Sequence, residues 1–349
     1  MSALASRRME VDLDVGRMSA DALAEGWGDG LPLIAPTEHL VAEFVEASGR
    51  DAAESLGRIP PSGAECIVEK VAINAVMAGA PADSMPLICS SLHAMIDSPL
   101  WLEGINATTA AVVPAVIVNG PIRDRLQIPY EYSAFGGAAS TAPAIGRAMR
   151  LVMRNVAGQV SGRSSESVFG QPGRVIGIVA GEWEERSPWA PLAERRGVSG
   201  DAVTVFGTVG TCNIVDSEGA TGLELLEVIG KSLAYMGNNG FVGGTVFADQ
   251  MVAINPVWAR DIIARDIPRF EDVSETLWKA ARRPLADFPE PCRPGLERRG
   301  RIDEHGNAYL VEKPEEIHIF VCGGLGSLHA TMLPGFSNSQ AVTAPIEAA

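Results

Sequence analysis

A lysine, a cysteine and a histidine are the residues of this chain whose surroundings suit chemistry. Lys70 lies in the run ECIVEKVAINAVMAG, residues 65–79, which is apolar nearly all round and predicts a buried helix. On that helix Cys66, Lys70 and Asn74 recur every fourth residue as one polar stripe, with Glu69 beside it. A buried lysine must be paired or give up its charge, and an amine with a depressed pKa is a base or nucleophile. The alternative is that Glu69 and Lys70 reach solvent at the helix edge while Asn74 bonds to neighbouring backbone. Cys212, with Asn213 next to it, stands in GTVGTCN straight after an apolar strand, where parallel sheets present ligand-binding groups and nearby amides favour a thiolate. A small buried apolar thiol is the competing reading. His329 follows CGGLGS, which reads as a strand end, a glycine turn and a helix start. There Gly324, Gly326 and Ser327 would shape an anion nest with an imidazole acid or base beside it. A satisfied structural histidine is the alternative.

Other residues suit an anionic substrate. In AFGGAASTAP, Gly136 and Gly137 with Thr141 place backbone N–H groups and a hydroxyl at the start of a helix that runs to about residue 156, although a tight turn uses the same residues. That helix carries Arg147, Arg150 and Arg154 on one face, which can clamp a carboxylate or phosphate, Arg147 foremost, or form salt bridges at a subunit surface. Asn119 ends an Ala/Val-rich strand at an Asn-Gly-Pro turn. The resulting expectation is an enzyme in which Lys70, Asn74, Cys212 and His329 converge at the carboxyl ends of strands. It would act on a small anionic organic molecule by lyase-type or thiol-assisted cleavage of a carbon–heteroatom bond. The alternatives are a non-catalytic subunit that docks a thiol or selenol protein, and a ligand-binding protein.

The elements that must position these groups alternate between strand and helix, which predicts an α/β fold with mostly parallel or mixed sheets and flanking helices. An echo between VVPAVIVNGP and ADQMVAINP, each a strand ending in Asn and Pro, points to two similar halves, 1–160 and 161–349, with an exposed connection near 287–307. A length of 349 residues, 46% hydrophobic content and 37 glycines describe a large, tightly turned core. The net charge of -15 repels nucleic acid and anionic membranes. Five scattered cysteines and the absence of a signal-like or spanning apolar run place the chain in the cytoplasm, and small residues favour a homo-oligomer. No nucleotide or haem motif, HExxH or GxSxG is present, which leaves cofactor and metal unknown.

Several strings together resemble an uncharacterised bacterial family. They are EGWGDGLPLIAPT at 25–37, VEKVAINAVMAGA at 68–80, VIVNGPI at 116–122, IGRAMRLVMRNVAG at 145–158, GQPGR at 170–174, SPWAPL at 187–192, and the later LPGF and AVTAPI. That family resembles proteins encoded beside, or fused to, small (seleno)proteins with a Sec/Cys-Gly-Ser-Cys motif. The resemblance implies thiol or selenol redox chemistry, or a substrate handed between two subunits. Cys212 departs from it, since similar proteins have histidine after the glycine turn, and the companion motif is absent from this chain.

Overall fold

The computed structural model describes residues 4–12, 14–137, 139–247 and 249–347. The chain begins with α1 (Val15–Ala24) and α2 (Glu38–Ala47), whose first turns are capped by the side chains of Asp14 and Thr37. A ribbon of β1 (Ser55–Ile59) and β2 (Ala64–Ile67) follows, then α3 (Val68–Ala78) and α4 (Met85–Ile96). The helix expected from residue 65 thus starts three residues later. Cys66 belongs to β2, paired against β1, and does not share a helix with Lys70.

Two four-stranded sheets form the centre. In the first, β3 (Val113–Asn119) runs parallel to β4 (Ile178–Gly181) on one side. On its other side it runs antiparallel to β5 (Ala202–Thr208). Between β3 and β4 lies the long helix α5 (Ala142–Asn155). After β5 the chain turns into β6 (Cys212–Val215), α6 (Gly222–Leu233) and β7 (Gln250–Ile254). Next come α7 (Phe270–Ala280) and a ribbon of β8 (Arg282–Pro284) and β9 (Asn307–Tyr309). The chain ends with β10 (Ile317–Val321), β11 (His329–Leu333) and β12 (Val342–Pro345). In the second sheet β7 is parallel to β10 and antiparallel to β11, which pairs antiparallel with β6. β12 returns to the first sheet, antiparallel to β5.

The fold is mixed α/β, and the mostly parallel arrangement is not what forms. Among the described residues only β3–β4 and β7–β10 are parallel. The glycine turns after β5 and β10 lead into strands rather than helices, and those strands, β6 and β11, pair antiparallel with each other. The helix start expected at His329 is accordingly the first residue of β11. The first sheet also draws strands from both sides of the divide expected near residue 160.

The pleat explains the layers. Ala115 and Ile117 of β3 face Phe206, Met251, Ala253, Phe320 and Leu333 in a core between the two sheets. Their neighbours Val116 and Val118 join Val203 and Val205 against the N-terminal helices, where α4 and α5 lie on the sheet and α3 packs on α5. On the far side Val252, Ile254, Ile319 and Val321 meet residues of α6 and α7. The order is helices, sheet, sheet, helices.

Candidate functional site

The polar stripe of α3 is satisfied within its own layer. Lys70 is half-buried, and its Nζ donates to the Glu65 carbonyl at 3.1 Å. Asn74 donates to the Lys70 carbonyl at 2.8 Å and accepts from Asn155 Nδ2 at 2.7 Å. Glu69 is buried and accepts the N–H groups of Ala5 and Ser6 at 3.0 and 2.8 Å. Burial raises its carboxyl, but those N–H groups and the Lys70 charge outweigh it and leave the pKa below the usual value. Glu69 and Asn74 line a mainly apolar cavity of about 500 Å³ beneath the N-terminal segment; Lys70 does not.

Cys212 and His329 sit on neighbouring strands with opposite aims. His329 is registered with Val215 and Met332 with Cys212, an odd offset that puts the imidazole on the inner face of the sheet and the thiol on the outer. Both residues are exposed, as is Asn213. His329 lines a pocket of about 370 Å³ together with Gly136, Gly324, Gly326, Ser327, Asn255 and Tyr132. A Cβ on Gly324 would stand 2.2 Å from a ring carbon of Tyr132, so a larger residue there would push that exposed ring aside. Gly137 holds a positive φ of 60°. The Thr141 hydroxyl donates to the Leu126 carbonyl instead of facing a ligand. Asn119 is buried and donates to Glu182 at 2.7 Å and Glu184 at 2.8 Å, an acidic setting unsuited to an anion. The expected convergence of Lys70, Asn74, Cys212 and His329 therefore does not occur. Both sheets stand between α3 and the face that bears Cys212.

The arginines of α5 divide into one that is neutralised and two that are not. Arg147 grips Asp29 through Nε at 2.7 Å and Nη2 at 2.8 Å, and also donates to the Pro32 carbonyl at 2.9 Å. Burial raises the Asp29 carboxyl, but the Arg147 bond and charge and the Leu31 N–H bring it below the usual carboxylate value. Arg147 is thus a strut between α5 and the 29–32 loop, not a free substrate clamp. Arg150, only 8% exposed, donates from Nε to the Arg174 carbonyl at 3.1 Å and from Nη2 to Gln159 Oε1. Its Nη1 is buried without a partner. Arg174 donates to Ser165 Oγ at 2.7 Å and to the Ala110 carbonyl at 3.4 Å, and Arg154 to the Gly26 carbonyl at 3.2 Å. Among the described residues, every recorded partner of these three guanidiniums is a neutral oxygen.

Burial, and after it the Arg174 charge, pulls Arg150 from 12.5 down to about 9, and burial lowers Arg174 as well. A guanidinium keeps its proton in proteins, so the shift expresses the cost of an uncompensated charge rather than a titration. Two glycines create the arrangement. A Cβ on Gly146 would lie 2.2 Å from the Ile176 carbonyl oxygen, and one on Gly177 would lie 2.7 Å from the Gly146 Cα. Their contact seats α5 on the turn before β4, and one helical turn further along Arg150 meets Arg174. Arg150, Arg154 and Arg174, with Gln159, Phe169 and the carboxylate of Asp29 that Arg147 already engages, line a cavity of about 320 Å³. Phe169 is 95% exposed at its rim.

The sequence displays the arginine stripe but not the role of Arg174, Gln159 or Phe169, which lie in a segment with no chemical signature of its own. Among the described residues no cluster of three or more His, Cys, Asp or Glu side chains is placed to hold a metal ion. Nor is any helix among them long and apolar enough to cross a membrane. The chain matches no protein-family model and no curated protein.

Proposed function

We propose that the chain binds a small organic anion in the pocket of Arg150, Arg154 and Arg174, its carboxylate or phosphate against the guanidiniums and its apolar part beneath Phe169. The observation that carries this reading is the positive charge of buried Arg150 and half-buried Arg174, whose side chains meet only neutral acceptors among the described residues. Buried charges ordinarily have a counter-charge. The cavity of about 320 Å³ falls at the small end of ligand sites. Thermal-shift measurement and calorimetry with inorganic phosphate and benzoate test it. A ligand at a hundred times its Kd stabilises by about 2.7 kcal/mol. Wild type should respond, and Arg150→Met and Arg174→Met, each checked for native circular dichroism, should not. Equal responses in folded variants and wild type would overturn the assignment.

A second, enzymatic reading draws support from the accessible imidazole of His329 in the pocket between the sheets. Lyase-type chemistry there would use His329 as the proton carrier, with Cys212, exposed on an edge strand, left to meet a thiol or selenol partner protein. A positioned acid or base contributes roughly a hundredfold or more. His329→Ala with turnover within about twofold of wild type, in the presence of such a partner, would end this reading.

A further inference from the structure

The two sheets are built to one plan. In each, a strand that ends in Asn (β3 at Asn119, β7 before Asn255) runs parallel to the strand reached by a helical crossover, and antiparallel to the strand after that. The register agrees as well. Val118 is paired with Gly181 and Val203, and at the matching place Ile254 is paired with Val321 and Ala330. The fourth strands are exchanged: β6, which follows β5, pairs with β11, while β12, which follows β11, pairs with β5.

The arginine pocket of the first half has a counterpart at the matching place in the second. Arg174 donates to the Ala110 carbonyl and Gln171 to the Ala111 carbonyl, just ahead of β3. Just ahead of β7, Arg299 donates to the Thr245 carbonyl at 2.9 Å and Arg301 to the Val246 carbonyl. Both sets of donors come from the crossover between the parallel strands. The second pocket, of about 550 Å³, is lined by Arg298, Arg299, Arg301, Trp278, Tyr309 and one carboxylate, Glu312. Arg299 donates twice more to the Gly240 carbonyl, at 2.6 and 2.9 Å, and Arg301 to that of Leu310 at 3.3 Å. Arg298 has no recorded partner among the described residues. Burial, then the charge of Arg301, draws Arg299 down to about 10. Two guanidiniums held by carbonyls and the free one of Arg298 face one carboxylate, so the pocket carries excess positive charge.

We infer that the chain is an internal duplication with exchanged edge strands, and that its second half holds a separate anion site at Arg298, Arg299 and Arg301. The aromatic wall of Trp278 and Tyr309 fits a ligand that carries a ring as well as a phosphate or carboxylate. Calorimetry of the full chain with phenyl phosphate, and with inorganic phosphate as the ring-free control, tests the inference. Wild type should bind two equivalents of phenyl phosphate, and Arg150→Met one. On that background Arg298→Glu, at an exposed position whose loss leaves no fold contact unmade, should weaken the remaining equivalent about tenfold or more, as removal of a charge-assisted bond does. Tyr309→Leu should weaken phenyl phosphate more than phosphate. A single equivalent abolished by Arg150→Met would overturn the second site and leave the first standing. A single equivalent sensitive only to Arg298→Glu would do the reverse. Binding indifferent to Arg298→Glu, or no binding to wild type, would overturn the second site.

Discussion

Arg147 and Arg150 lie on the same helix, yet the structure gives them opposite energetic roles, and a double-mutant cycle can separate these. The Arg147 and Asp29 side chains are 10% and 13% exposed and make a two-bond contact. Asp29→Ala leaves a desolvated guanidinium with only the Pro32 and Leu31 carbonyls, and breaking a buried pair in this way costs about 3–5 kcal/mol. Arg147→Met leaves the carboxylate behind and should cost a similar amount. In the combination Asp29→Ala with Arg147→Met no charge is stranded, so the double variant should recover about 2–3 kcal/mol relative to the summed singles. The pH dependence follows from the depressed Asp29 pKa, which places the carboxylate proton off in the folded state where the unfolded chain still holds it. The pair's contribution is complete above the ordinary aspartate value of 3.8 and is lost as pH falls through the lower folded value, whereas the Asp29→Ala variant lacks that step. Urea denaturation at pH 7 and pH 3 reads both quantities. Single variants within about 1 kcal/mol of wild type, or strictly additive singles, would refute the strut and return Arg147 to the ligand.

Three further outcomes follow from the same geometry. Gly146→Ala drives a methyl group to 2.2 Å from the Ile176 oxygen, so thermal unfolding should show a loss of about 2–3 kcal/mol, and phosphate binding should weaken because Arg150 is moved from Arg174. Of the five thiols, Cys212 and Cys292 should react rapidly with a maleimide in the native protein. Cys66 and Cys89, raised by burial to about 11 and about 12, and Cys322, raised further by burial, should react only on unfolding; mass spectrometry of labelled peptides decides. Lys70→Met should change the urea midpoint by no more than about 0.5 kcal/mol equivalent, since its ammonium meets one surface carbonyl.

Local signals are the ones the sequence states legibly. Thr37 caps α2, the run after Thr141 becomes α5, and β7 occupies residues 250–254, because cap chemistry and apolar periodicity are properties of adjacent residues. The segment HATML carries no such period. It becomes β11 because β7 and β6 flank it, and partners from elsewhere in the chain leave no mark in a short window. The same limit applies to the site. The arginine stripe is visible in residues 147–154, but its division depends on Asp29, 118 residues from Arg147, and on a carbonyl 24 residues from Arg150. The polar stripe on α3 misled for a related reason: its amide and carboxylate are satisfied by Asn155 and by the backbone of residues 5 and 6, none of which its own periodicity announces.

The exchange of β6 and β12 has a consequence for how the chain comes to its final form. During synthesis β5 emerges long before residues 342–345, so the margin of the first sheet has no hydrogen-bonding neighbour until nearly all the rest of the chain has been made. Closing that margin joins positions well over a hundred residues apart, which makes it a slow step. The two sheets are bound to mature together, and a nascent chain halted in the turn after β11 would display an open β5 margin to chaperones and to its own neighbours.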